Sequence, residues 1–375
     1  MHRALGSMAW VLLLATPALG QAPVPEEVTC PVDGCHFVVP RGEPLDQGGG
    51  MDSDGCPHGL QGDTLSQTLV VCPRCNYAAS RLNFPATLKD QEKRRILGAL
   101  ARSTYRNVTD SLTDIPGWER FRLAAKCAAA LGNAKEEATY TKYAAWSVRV
   151  EACRSGTVAY SSPLEIIAPL GRRLNEWMST RGIEDVIGEM EEKIAGSKKP
   201  EEQNRPRLHL AMMCQRAGFV ARRDEAISGL ERSMGSGAPL AAAVGLFKRL
   251  VATEAGFQKK LVDLLRTSSG KDENRWDRAM QNYLLADTLR RLGRNAEALD
   301  EFRSARRLMS EPSEARLYTD HFLSMLAPGE PLPTPEEEKP VEIKPSGPDE
   351  KPTVPPGARK DQPSAQPQAG TTDNK

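Results

Sequence analysis

The spacing of apolar residues indicates that most of the chain is helical. From about Leu88 onward, apolar side chains recur every three or four residues, as at Ile96, Leu97 and Leu100, which places them on one face of an α-helix. Segment 276–308 has the clearest pattern, with two helical stretches that place small and large apolar residues as tetratricopeptide-like hairpins do. The positions that match are Leu285, Ala286, Leu289, Gly293, Ala298, Phe302 and Ala305.

Two weaker copies of this pattern precede it. Their first helices end at Gly132 and Gly218, so the three glycines are 86 and 75 residues apart (132 to 218, then 218 to 293). Further degenerate hairpins are expected over 163–196 and 238–267. The pattern therefore predicts a mainly α fold, with an irregular tetratricopeptide-like array of helical hairpins over residues 89–327.

Residues 28–88 follow a different pattern. The short runs 36–39 and 68–71 have the composition of β-strands and are bounded by Gly and Pro. The Gly-rich segment 48–59 between them predicts a loop. A module of about 60 residues with so few large apolar side chains needs a stabilising cross-link. We expect a small zinc-ribbon-like β module.

The two ends of the chain have no globular pattern. Arg3, an apolar run and small residues before Gly20 predict a signal peptide over 1–20, cleaved near Gly20, and a linker over 21–27. The protein is then expected in the periplasm or outside the cell, and no later segment predicts a membrane span. Residues 328–375 contain 12 of the 28 prolines and no aromatic residue, which predicts a disordered tail.

Charge gives little indication of a partner. Loss of Arg3 with the signal peptide leaves 49 basic and 49 acidic residues (50 − 1 and 49), so a nucleic-acid or anionic-membrane partner is not indicated. Basic clusters such as Arg303, Arg306 and Arg307 are expected on solvated helix faces.

Five of the eight cysteines lie within 28–88. Cys72 and Cys75 enclose Pro and Arg and are followed by Asn76, which tolerates the positive φ that a metal-binding knuckle requires. Cys30 and Cys35 form the expected second turn, although four residues separate them. Because structural zinc prefers four thiolate or imidazole ligands delivered by two turns, the sequence predicts Zn²⁺ on Cys30, Cys35, Cys72 and Cys75.

Alternatives to this ligand set remain open. Cys56 and His58 are spare candidates, and either could replace Cys35. An oxidising compartment also favours disulfides in the same module. A redox-active pair of Cys72 and Cys75 is a third hypothesis, but the βαβ context of thioredoxin-like motifs is missing.

Other candidate chemistry in the sequence is sparse. Asp52-Ser53-Asp54-Gly55 superficially resembles a calcium loop but lacks flanking helices and is expected to be a polar loop. Cys127, Cys153 and Cys214 lie on helical stretches and are expected as small buried residues. The sequence has no zinc-protease, nucleophile-elbow, P-loop or dinucleotide-binding motif, which indicates a non-enzymatic protein.

Four stretches together resemble a known family. They are Thr29-Cys30-Pro31-Val32, Asp52-Ser53-Asp54 with the later Val71-Cys72-Pro73-Arg74-Cys75-Asn76-Tyr77-Ala78-Ala79, and Ala144-Ala145-Trp146-Ser147-Val148-Arg149. This combination is similar to the bacterial family of unknown function numbered 2225. The resemblance covers about residues 28–155 and implies a zinc-ribbon-like module followed by helices, without an assigned activity. This chain departs from that family in its longer first cysteine spacing, in Asn76 where the family has Gly, and in its export signal.

The sequence therefore predicts an exported bacterial protein without enzymatic activity. A structural zinc module is followed by helical repeats, which present concave surfaces suited to a protein or peptide partner. The alternative is a thiol-disulfide redox or metal-handling envelope protein that uses Cys72 and Cys75.

Overall fold

A computed structural model describes most of the chain. The described residues are 25–40, 46–60, 62–102, 115–155, 183–234, 239–268 and 274–335. The expected signal peptide over 1–20, residues 163–182 of one expected hairpin and residues 336–375 of the expected tail lie outside them.

The described part is mainly helical, as predicted. Its ten α-helices are α1 (Asp90–Leu100), α2 (Gly117–Leu131), α3 (Ala134–Ser155), α4 (Ile183–Gly196), α5 (Pro200–Ala217), α6 (Val220–Ser233), α7 (Pro239–Ser268), α8 (Arg275–Arg291), α9 (Asn295–Leu308) and α10 (Glu314–Leu326). Its strands are β1 (Pro25–Thr29), β2 (His36–Pro40), β3 (Leu69–Val71) and β4 (Ala78–Ser80). Within this part, the helices are too short or too polar for any of them to cross a membrane.

The strands form two separate antiparallel hairpins. β1 pairs with β2, with Thr29 opposite His36, and β3 pairs with β4, with Val71 opposite Ala78. The expected strands at 36–39 and 68–71 are present, but each pairs across its own cysteine turn. β1 also occupies the end of the expected 21–27 linker. We call residues 25–40 the first cysteine hairpin and residues 69–80 the second cysteine hairpin.

Three helical hairpins turn at the glycines that the sequence singled out. Gly132, Gly218 and Gly293 have φ of 76°, 78° and 75°, a conformation that glycine adopts with little strain. In each turn the next residue donates its N–H to a carbonyl five positions earlier, which satisfies the helix end. These bonds are Asn133 N to Ala128 O (2.9 Å), Phe219 N to Cys214 O (2.8 Å) and Arg294 N to Leu289 O (2.9 Å).

Two expectations for the helical region are wrong. Segment 238–267 is not a hairpin, because α7 continues as one helix of 30 residues. Its apolar spacing continues unbroken, and its internal glycines lack the positive φ that ends the other helices. Arg306 is not on a solvated face, because it is buried and its Nε donates to Asp320.

Two hydrophobic cores extend along the molecule. One joins the cysteine hairpins to α1, α2 and the middle of α3, and the other joins α3 to α4–α10. The first core therefore continues across the expected domain boundary at residue 88. Cys127 lies in the first core, and Cys153 and Cys214 lie in the second. Burial raises the pKa of Cys127 and of Cys153 to about 12, so these thiols are inert packing residues.

Candidate functional site

The turns of the two cysteine hairpins bring four possible metal ligands together. The ligand atoms of Cys30, Asp33, Cys72 and Cys75 all lie within 4.8 Å of one another. The Sγ atoms of Cys30 and Cys75 are 3.6 Å apart. A disulfide would bring two sulfurs to about 2.05 Å, whereas two thiolates of a tetrahedral zinc site lie about 3.8 Å apart. The donor set and spacing therefore fit a tetrahedral metal ion.

Hydrogen bonds between these thiols place negative charge on Cys72. Cys30 and Cys75 interact with the Cys72 sulfur, and these contacts lower the pKa of Cys72 to about 3. The same contacts raise the pKa of Cys30 and of Cys75. Because metals bind thiolates, contacts that lower the pKa of one of these sulfurs favour metal binding.

The group differs at one position from the predicted set of Cys30, Cys35, Cys72 and Cys75. Asp33 occupies the fourth place. Cys35 is partly exposed, and its Sγ lies 3.8 Å from the carbonyl oxygen of His36. The burial of Cys35 and the neighbouring Cys72 raise the pKa of Cys35.

The spare candidates Cys56 and His58 belong to a second group, with Asp52. His58 Nε2 lies 2.9 Å from Asp52 Oδ2 and 3.8 Å from Cys56 Sγ. Because both contacts involve one nitrogen, His58 cannot relay a proton from the thiol to the carboxylate. Burial also raises the pKa of Cys56 well above its usual range. This triad of residue types is therefore not arranged as an activated nucleophile.

Both carboxylate oxygens of Asp52 already accept hydrogen bonds from guanidinium groups. Its Oδ2 accepts from Arg149 Nη1 at 3.0 Å, and its Oδ1 accepts from Arg216 Nε at 2.9 Å. Two adjacent guanidinium groups oppose the binding of a metal cation here. The same partners exclude the calcium interpretation of residues 52–55, because their carboxylates are occupied by arginines.

The segment 51–58, which we call the Asp-Ser-Asp loop, inserts into a group of buried charges. This buried charge cluster contains four carboxylates and four guanidiniums, so its formal charges balance. The members are Asp52, Asp54, Glu254, Asp287, Arg149, Arg216, Arg290 and Arg291.

Arg149 of α3 links three carboxylates in this cluster. Its guanidinium donates to Asp52 at 3.0 Å, to the two oxygens of Asp54 at 2.9 and 2.8 Å, and to Glu254 of α7 at 2.8 Å. Trp146, one turn earlier, donates its Nε1–H to Asp54 at 3.0 Å. Since Arg149 is only 1% exposed, these bonds operate in a medium of low dielectric.

Helix α8 holds the loop from another side. The Tyr283 hydroxyl donates to the Ser53 carbonyl at 2.7 Å, and Arg291 Nη2 donates to Ser53 Oγ at 3.0 Å. Asp287 accepts from Arg290 and Arg291, at 2.6 and 2.7 Å. The same two arginines donate to the last carbonyls of α5, which satisfies that helix end.

Arg216 depends on Asp52 for its position. Its Nε donates to Asp52, whereas Nη1 and Nη2 have no hydrogen-bond partner among the described residues. Arg216 is 1% exposed, and a buried guanidinium with so few bonds is costly. The loop therefore supplies the counter-charge on which this end of α5 depends.

The outer side of the Asp-Ser-Asp loop forms the floor of a groove. This cavity has a volume of about 600 Å³ and lies between α3, α7, α8 and α10. Its volume is within the usual range for ligand sites. The apolar lining consists of Met51, Ala138, Leu261, Leu265, Trp276, Met280, Leu284, Ala315 and Tyr318.

Charged side chains on three helices line the groove. Lys135 and Lys142 lie on α3, and Asp277 and Glu314 lie on α8 and α10. The Lys142 ammonium lies 4.6 Å from the centre of a Trp146 ring, and its burial lowers its pKa. Within the described part of the chain, neither lysine has a carboxylate within ion-pair distance, although the charge of Asp54 acts on Lys142 from farther away. The groove therefore combines an apolar lining with two lysines on α3 and carboxylates on α8, α10 and the loop.

Comparisons with known proteins give no relative for this arrangement. No protein-family model, no curated protein and no solved structure matches the chain. The proposed function is therefore based on three features of the structure, namely the metal-ligand group, the buried charge cluster and the groove.

Replacing Arg149 by Met is expected to destabilise the protein strongly. The change keeps most of the side-chain volume but leaves three buried carboxylates without their shared cation, which should cost about 3–5 kcal/mol. Lys248→Met is the matched control, because Lys248 and its partner Glu231 are 52% and 45% exposed and such pairs contribute at most about 1 kcal/mol. Urea denaturation measures both changes, and equal small effects would contradict a stabilising cluster.

Acid is expected to destabilise the protein through His58. Burial and Arg216 lower the pKa of His58 from 6.5 to about 4. The unfolded chain therefore binds a proton that the folded chain does not, so stability falls by about 3 kcal/mol as pH falls from 6.5 to 4. The lowered pKa values of Asp52 and Asp54 add further loss only at lower pH.

The difference between the native protein and His58→Gln isolates this effect. Urea denaturation at a series of pH values should show a shallower pH dependence for the variant between pH 4 and 6.5. The raised pKa of Glu254 acts in the opposite direction in both proteins. If the stability of both proteins depends on pH with the same slope between pH 4 and 6.5, the pKa of His58 is not lowered by folding and the prediction is wrong.

Proposed function

We propose that this chain is a non-enzymatic exported protein in which a zinc-binding pair of hairpins supports a peptide-binding helical groove. The observation that carries the proposal is the position of the Asp-Ser-Asp loop. The loop lies between the two cysteine hairpins in the sequence and forms the floor of the groove in the structure. Export to the periplasm or the cell exterior is proposed from residues 1–20.

Zinc is the proposed metal because of the donor set. Three thiols and a carboxylate lie within 4.8 Å of one another, and three soft sulfur ligands suit Zn²⁺ better than Mg²⁺ or Ca²⁺, which prefer oxygen. The two hairpins are separate sheets, so a metal held by residues of both turns would cross-link them. We propose a zinc-ribbon-like arrangement on this basis.

The helical region is proposed to be a degenerate tetratricopeptide-like array. Support comes from the three equivalent turns at Gly132, Gly218 and Gly293 and from the concave groove between helices. Membership in the family numbered 2225 also stays a proposal. It is supported by the contact between residues 52–54 and the Trp146–Arg149 stretch, because both belong to the motifs of that resemblance.

The groove is proposed to bind an extended peptide that carries an apolar side chain next to a carboxylate. The apolar side chain would pack against Met280 and its neighbours. The carboxylate would face Lys135 and Lys142, whose charges have no ion-pair partner among the described residues. Peptide recognition of this kind uses apolar contact for affinity and charge for orientation.

A structural role for the cysteines is favoured over the redox alternative. Cys72 and Cys75 are 0% and 4% exposed, so an exchange partner could reach neither sulfur directly. The lowered pKa of Cys72 is explained by the neighbouring thiols and suits metal binding as well as it suits thiol exchange.

A peptide screen tests the groove. Full-length protein would be used to select peptides from a displayed random library, and the affinity of the selected peptides would be measured by calorimetry. Met280→Glu places a charge in the apolar lining of the groove and should weaken peptide binding at least about tenfold, or 1.4 kcal/mol. Lys142→Met should weaken the binding of peptides that carry a carboxylate, and their affinity should then depend much less on salt concentration.

Leu317→Ala is the matched control. Leu317 lies on α10 and is 68% exposed, but it does not line the groove, so binding should not change. If the selected peptides bind Met280→Glu as tightly as the native protein, they bind elsewhere and the proposed function is wrong.

A further inference from the structure

The two cysteine hairpins have the same backbone construction. In the first, Cys30 N donates to Cys35 O at 2.8 Å and Gly34 N donates to Cys30 O at 2.9 Å. In the second, Cys72 N donates to Tyr77 O at 2.8 Å and Asn76 N donates to Cys72 O at 2.9 Å.

The equivalence extends to conformation and strand register. Gly34 and Asn76 both have positive φ, of 71° and 61°. In each hairpin the residue before the leading cysteine pairs with the residue seven positions later in the chain. These pairs are Thr29 with His36 and Val71 with Ala78. A shift of 42 residues (30 to 72) therefore superimposes one turn on the other in sequence.

This shift changes the assignment of the fourth ligand. It pairs Asp33 with Cys75, and it pairs Cys35 with Tyr77. Tyr77 is a core residue that packs against Phe84, with ring centres 5.1 Å apart. The second ligand position of each turn is thus the third residue after the leading cysteine. In the first turn that residue is an aspartate.

We propose that the metal is held by Cys30, Asp33, Cys72 and Cys75, with Cys35 left as a free thiol beside the site. This inference rests on the proposed metal module and names its ligands. The carboxylate of Asp33 lies 3.7 Å from the Cys72 sulfur, close to the separation of about 3.6 Å between an oxygen and a sulfur on one tetrahedral zinc.

Neighbouring groups orient Asp33 for this role. Oδ2 accepts from Arg74 Nε at 2.8 Å, and Oδ1 accepts from the backbone N–H of Cys35 at 3.0 Å. Both carboxylate oxygens of Asp33 are therefore held in place by neighbouring donors. Such outer partners commonly fix the geometry of a ligating side chain. Arg74 also offsets part of the excess negative charge of three thiolates and a carboxylate on a divalent ion.

X-ray absorption at the zinc edge tests this ligand set on the native full-length protein. The expected first shell is three sulfurs and one oxygen, and cobalt substitution should give the weaker charge-transfer bands of three thiolates rather than four. A shell of four sulfurs overturns the inference while leaving the metal module intact. Native protein without bound metal overturns both the inference and the proposed module.

Two matched variants provide an independent readout. Asp33→Ala should weaken zinc binding at least about tenfold, measured by competition with a chelator, whereas Cys35→Ser should bind zinc as tightly as the native protein. Asp33→Cys should bind zinc more tightly and show a four-thiolate cobalt spectrum. Loss of zinc from Cys35→Ser with retention in Asp33→Ala would assign the fourth position to Cys35.

Discussion

The structure depends on the contact between the Asp-Ser-Asp loop and the arginines of three helices. Asp52 and Asp54 have negligible exposure and meet Arg149 of α3, Arg216 of α5 and Arg291 of α8. Burying eight charges is costly, and apolar residues of equal volume could stabilise the helices as well or better. Such a network favours one position of the loop relative to the helices, because any other position leaves a buried charge without its partner. We interpret the cluster as the feature that fixes how the helices pack.

This contact connects the two parts of the molecule. The Asp-Ser-Asp loop lies between the two cysteine hairpins in the sequence. The loop in turn supplies the floor of the groove and the counter-charges for α3, α5 and α8. The contacts between the loop and the helices join residues more than 200 positions apart in the sequence, as between Ser53 and Arg291.

The sequence predicted the parts of this structure that depend on local rules. The turn at Cys72 and Cys75 followed from Asn76, and three helix ends followed from their glycines, because a positive φ restricts the residue type. The buried charge cluster could not be predicted in the same way. Arg291 stands in the arginine-rich stretch 290–294, which resembles a solvated helix surface, and only the tertiary contact with residues 52–54 reveals its burial. The one sequence signal was the resemblance, whose motifs contain residues 52–54, Trp146 and Arg149. Asp33 gives no comparable signal in the sequence, because only the backbone of the two hairpins places it opposite Cys75 in the group of possible ligands.

The central claim is that the hairpins, the loop and the helices form one cooperative unit. Hydrogen–deuterium exchange of the full-length protein, with zinc and after its removal by a chelator, tests this claim most directly. The account predicts that zinc removal increases exchange in residues 25–40 and 69–80, in the loop 51–58, and in the turns of α3, α5 and α8 that contact the loop. An increase confined to 25–40 and 69–80, with unchanged protection in the loop and the helices, would contradict it.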